Sequence, residues 1–267
     1  MGNKVILFPF CIIIFIQLFI LEILYFSPRF PLKIFFGPVI STLWAEHYLH
    51  YPHSLALLPK LYQYAQVPVF IFINSFLLAL AVAFIIQINS GKRIHAAHII
   101  KEISSFYIHI IIPSFLLFII MTIFIKWYAT IRSQAETMVV STGLSHILKT
   151  ILVDGSSYIN FLISVLMSTV FAYVLPIIVF EKKKSPAAIM ANFKMLRGSF
   201  WLTFVLILIP SLFFLPVMML RDAVATNLVF PEIRLVVLVI SIFVTVAIDA
   251  IVYTALTTYY LFKKEGR

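Results

Sequence analysis

"FEKKKSPAAIMANFKMLRGSFW", residues 180–201, is the stretch whose reading decides how this chain folds. Lys182, Lys183, Lys184, Lys194 and Arg197 gather here between two long apolar runs. Ser185 before Pro186 reads as a helix start, a hydroxyl N-cap ahead of a proline at the first helical position. Gly198 reads as its stop. The interval of about 12 residues rises about 18 Å, too little to cross a bilayer. Ile189, Phe193 and Leu196 share one face, Lys194 and Arg197 another. The expectation is a helix lying flat on a membrane surface with its basic side toward lipid headgroups. Ser199 then caps the following span, and Trp201 anchors it at the interface.

The rest of the chain supplies the membrane. Of 267 residues, 63% are hydrophobic and 11% charged, where a soluble domain is about half apolar and about a quarter charged. That much oil cannot be hidden in a core of this size, so the solvent is lipid. Six runs have the length of a spanning helix: 5–26, 67–88, 105–126, 158–180, 200–220 and 235–262. They do not alternate as barrel strands do, and a helix satisfies its own backbone in lipid. The expected fold is therefore all-α: a polytopic membrane helix bundle of about six transmembrane helices with interfacial or re-entrant helices, one integral membrane domain over residues 1–267. The first run continues into "EILYFSPRF" without a small-residue cleavage pattern and reads as an uncleaved span. Cys11, inside it, has no second cysteine to pair with. Residues 32–49 are oily but interrupted by Gly37–Pro38, with Trp44 and Tyr48 near their end. A re-entrant or interfacial helix fits them better than a seventh span.

The net charge of +10 does not indicate nucleic acid, because the basic residues sit in loops between the runs. With the N-terminus inside, Lys4, Lys92, Arg93, Lys101, the 182–197 cluster, Lys263, Lys264 and Arg267 face the cytoplasm. They outnumber Arg29, Lys33, Lys60, Lys126, Arg132, Lys149, Arg221 and Arg234 on the other side. Both termini are expected in the cytoplasm of a bacterial cell, with the chain in its inner membrane.

Glu181, Ser185, Pro186, Ala188, Phe193, Leu196, Gly198, Phe200 and Trp201 form a pattern of an acidic span end, Ser-Pro and an aromatic span start. With the close "TALTTYYLFKKEGR", this resembles the six-span bacterial membrane proteins related to the membrane domain of glycerophosphoryl diester phosphodiesterase. The resemblance covers the last third of the chain and implies architecture. The soluble catalytic domain has no counterpart here, so that activity is not implied. A rival reading, the coupling helix of an importer permease, meets Pro186 before its alanines and Asn192 in its glycine place.

Charges inside a span are expensive and face protein or water. Asp249 lies near the middle of the sixth run and Glu22 in the outer third of the first. Ser241, Thr245, Asp249, Tyr253 and Thr257 recur every four residues, and Asn160, Ser164 and Ser168 form a similar row in the fourth run. With Gln17, Asn74 and His109 they could line a polar interior; the plain alternative is hydroxylated glue between spans. Pro113, Pro176, Pro210 and Pro216 each free a carbonyl within a run, and the last two suggest a broken helix beside a cavity. In "EHYLHYPH", His47 and His50 are weak metal candidates with Glu46; interfacial histidines are the plainer account. Residues 135–151 read as an amphipathic segment on the outer surface.

No HExxH, GxSxG, phosphate loop or GxGxxG occurs, so no catalytic residue and no cofactor is assigned. The leading expectation is a transport-related or permease-like protein for a small molecule or lipid, with Asp249 in its interior. The alternative is a noncatalytic assembly or scaffold protein that binds lipid or a protein partner through residues 181–201. An intramembrane enzyme ranks third. Membrane lipids are expected partners and nucleic acid is not.

Overall fold

The computed structural model describes residues 4–91, 95–137, 143–225 and 231–265. Lys92, Arg93, Arg267 and residues 138–142 of the expected amphipathic segment lie outside them. The chain is an all-α polytopic bundle. Among the described residues, five helices are long and apolar enough to cross a membrane, and the bent pair Ser185–Leu196 and Phe200–Leu212 makes a sixth if counted as one span.

Helix α1 (Leu7–Phe26) matches the first run closely. Helix α2 (Lys33–Trp44) passes through Gly37–Pro38 without the expected break. At 12 residues it covers only about 18 Å. The hydroxyls of Ser41 and Thr42 donate to the Pro38 carbonyl.

The second run begins earlier than its hydropathy suggests. Helix α3 (His53–Pro68), a wide π-helical turn at Val69–Asn74 and α4 (Ser75–Asn89) form one continuous rod of 37 residues. Leu55, Leu58 and Tyr62 of α3 recur at helical spacing and pack with Leu21 and Leu24 of α1. The wide turn begins directly after Pro68, whose ring removes one N–H from the ladder. This rod is the centre of the bundle: 78% of its most apolar window is buried, against 11% for the third span.

Helix α5 (Ala96–Ser105) leads to α6 (Tyr107–Thr137), which runs eleven residues past the expected end at 126. That extension is held from outside, since the Tyr128 hydroxyl donates to Leu152 O and Arg132 to Ser156, while Arg132 also pairs with Glu136 within α6. Helix α7 (Gly143–Val153) precedes the fourth span.

The fourth and fifth spans are both broken. α8 (Ser156–Val170) and α9 (Val174–Glu181) are separated by a turn at 171–173. α11 (Phe200–Leu212) and α12 (Leu215–Ala225) are separated at Phe213–Phe214. Each break lies where a downstream proline removes a bond: Pro176 faces the carbonyl of Ala172, and Pro216 that of Leu212. α10 (Ser185–Leu196) lies between the two broken spans and meets α11 at 98°. The final helix α13 (Ile233–Glu265) packs on α1, α3, α4, α11 and α12. At its start, the Tyr51 hydroxyl donates to Glu232 (2.8 Å) and the carboxylate raises the phenol above its ordinary pKa.

The outside of the bundle is oily. Phe15, Phe19, Phe35, Ile108, Trp127 and Trp201 are all exposed, as lipid-facing side chains are.

Candidate functional site

Two of the sequence-selected rows meet. Phe161, Ser164, Val165 and Ser168 of α8, Ser211 of α11, Phe214 of the break, and Thr245, Ile248 and Asp249 of α13 line one cavity of about 240 Å³. Helical spacing explains the α8 and α13 contributions, because residues four apart share a face. The break in the fifth span supplies the third wall.

Two of the hydroxyls in this lining face it as acceptors. The Ser164 hydroxyl donates to the Asn160 carbonyl at 2.9 Å and the Ser211 hydroxyl to Ile207 at 2.7 Å. Their protons are spent on their own helices, so lone pairs are what they offer the cavity. The half-buried Asp249 carboxyl forms no hydrogen bond or ion pair among the described residues. No lysine, arginine or histidine lines the cavity. A carboxylate and oxygen acceptors suit a cation or a donor-rich solute.

The remaining intramembrane candidates lie elsewhere. Asn160 stands one turn from Ser164 and is not part of the lining; its side-chain oxygen is buried without a partner among the described residues. Tyr253 packs toward α1 and α4, against the cluster that includes Phe10, Ile13 and Val246. Glu22 is exposed on α1 and does not face the interior. Gln17 reaches only Tyr62, at 3.5 Å, while His109 meets Ser185 at the basic end. His47 packs against the rings of Tyr48 and, edge-on, His53, and no group of three or more His, Cys, Asp or Glu could hold a metal among the described residues.

The helix at 185–196 forms with the expected ends but buries a different face. Lys184 takes the N-cap position, and the Ser185 hydroxyl donates instead to the His109 carbonyl of α6. Ser185, Ala188, Asn192 and Leu196 turn inward; Ile189 is half-buried and Phe193 exposed. Lys194, Arg197, Gly198 and Trp201 are exposed. Ser199 sits at the N-cap of α11, but its hydroxyl does not cap that helix and donates back to Met195.

Asn192, which no local pattern marks as structural, joins this helix to the broken fourth span. Its carboxamide oxygen accepts from the Tyr173 N–H at 3.0 Å, and its amide donates to the Val170 carbonyl at 2.7 Å. The two groups stranded by the break are thereby satisfied inside the protein. Tyr173 then reaches the fifth span. Because the Thr203 hydroxyl donates to Ser199 O, the Tyr173 hydroxyl is the donor in its 2.6 Å bond to Thr203.

Glu181 closes the same end. It accepts from the Tyr260 hydroxyl (2.6 Å) and Lys264 (2.6 Å), and pairs with Lys183 (2.5 Å). Lys182, in the left-handed conformation that ends α9, pairs with Glu102. Tyr260→Phe is expected to lower stability by about 1.5 kcal/mol, since the bond it removes ends on a charge. A thermal melt of the detergent-purified protein measures it, and an unchanged midpoint would show that the lysines alone hold Glu181.

No family model, curated protein or solved structure matches this chain.

Proposed function

We propose that this chain is a permease-like membrane protein that passes a small cationic solute through the α8–α11–α13 cavity. The observation that carries the reading is the convergence of Asp249 with Ser164, Ser168, Ser211 and Thr245 from three spans around one space. Broken helices beside an intramembrane carboxylate are the arrangement transporters use to expose backbone and side-chain oxygens to an ion. Breaks at 171–173 and 213–214 interrupt the two spans beside it. The basic end, with α10, faces the cytoplasm of a bacterial inner membrane in this reading. The likeness of residues 181–201 to the six-span bacterial family agrees with this architecture and lends no activity.

The test is uptake into proteoliposomes of a panel of alkali cations and small protonated amines, with and without a pH gradient. At least one cation is expected to accumulate above protein-free vesicles. A panel on which none does so would remove the transport reading.

A noncatalytic assembly role draws on a different observation: α10 presents Met190 and Phe193 outward beside Lys194 and Arg197. Reversing both charges would abolish such a role and leave cation uptake in place, whereas Asp249→Asn would do the opposite.

A further inference from the structure

At the basic end, the ends of α9 and α13 and the body of α10 enclose a second cavity of about 310 Å³. Lys183, Lys194, Lys263 and Lys264 line it against one carboxylate, Glu181. Glu181 is already engaged by Lys183, Lys264 and Tyr260. Lys263 donates to Met195 O (3.2 Å) and Ser199 Oγ (3.3 Å), neutral acceptors that leave its charge uncompensated. Lys194 is exposed and forms no ion pair among the described residues. The cavity therefore carries an excess of positive charge beside a surface helix.

A larger, apolar groove of about 890 Å³ lies along the same end of α13. Leu202 and Leu206 of α11 and Ala255, Thr258, Tyr259 and Phe262 of α13 form most of its wall. The small side chains of Ala255 and Thr258 leave the room. Lys263 stands between the two spaces: it follows Phe262 of the groove, and the Ser199 hydroxyl it bonds lies one turn before Leu202.

We infer that the two cavities together hold one anionic phospholipid, with its phosphate on Lys194 and Lys263 and an acyl chain along α11 and α13. Basic recesses at the ends of spans select anionic headgroups by charge. The groove supplies what a free anion would not use, an apolar wall continuous with the bilayer interior. This site shares no residue with the Asp249 cavity.

The test is native mass spectrometry of the full chain in detergent with phosphatidylglycerol, phosphatidylcholine or inorganic phosphate. Phosphatidylglycerol is expected to stay bound, phosphatidylcholine far less, and inorganic phosphate not to displace it. Lys194→Gln, which breaks no hydrogen bond or ion pair among the described residues, is expected to weaken phosphatidylglycerol about fivefold, and Lys194→Gln with Lys263→Met about thirtyfold. Ala255→Phe fills the groove and is expected to weaken it with every lysine intact. Equal retention of the two lipids, full displacement by phosphate, or undiminished binding by the double variant or by Ala255→Phe would overturn the site.

Discussion

Uptake of the cation is expected to fall about a hundredfold in Asp249→Asn, with wild-type abundance in the membrane. Asparagine keeps the shape of the side chain and removes its charge. A cation in the cavity then loses its only ionic partner there, because no other ionisable group lines that space. Removing one partner of a desolvated pair costs about 3 kcal/mol or more, which is about a hundredfold in occupancy. Stability should hold, because the Asp249 carboxyl has no hydrogen bond to lose among the described residues. Thr245→Val and Ser168→Ala remove single oxygen ligands and should each cost about fivefold, or about 1 kcal/mol. Wild-type uptake by Asp249→Asn would end the proposal that this carboxylate meets the solute. A parallel collapse in abundance would instead identify it as structural.

Asn192→Leu is expected to destabilise the protein by about 4 kcal/mol. The substitution keeps roughly the volume and deletes both bonds to the broken fourth span. The Tyr173 N–H and the Val170 carbonyl are then left without partners, each costing about 1–3 kcal/mol. Neither can turn to water, because Asn192 and Tyr173 are both fully buried. Asn192→Asp should be nearly as harmful: it still accepts from Tyr173 but sets a carboxylate oxygen against the Val170 carbonyl. Thermal midpoints in detergent, read with Lys101→Gln, an exposed residue outside both sites, as a surface control, measure both. A wild-type midpoint for Asn192→Leu would mean that the break at 171–173 satisfies itself.

Much of this could be read before any coordinates. The first span is where its hydropathy puts it. Of the four prolines within runs, Pro176 and Pro216 follow breaks, whereas Pro113 and Pro210 stand inside unbroken helices, so a withdrawn backbone bond alone does not decide where a span is interrupted. The rows at 164–168 and 245–249 do face each other, because four-residue spacing fixes a common side regardless of context. The inward face of α10 was not legible. Hydrophobicity pointed to Ile189, Phe193 and Leu196, yet Ser185, Ala188, Asn192 and Leu196 turn inward.

Composition and run length alone determined that the chain lives in lipid, as helices, with its positive charge gathered in particular connectors. Local chemistry also settled where α10 starts and ends. Which faces meet was decided only in the assembled bundle. In water, oily faces turn inward and pattern reveals the interior. In a bilayer the surroundings are as apolar as leucine, so that sorting force vanishes and small or hydrogen-bonding groups determine the contacts. The Asn192 link between α10 and the fourth-span break is such a contact: both partners are plain backbone, and nothing in the residues that carry them announces it.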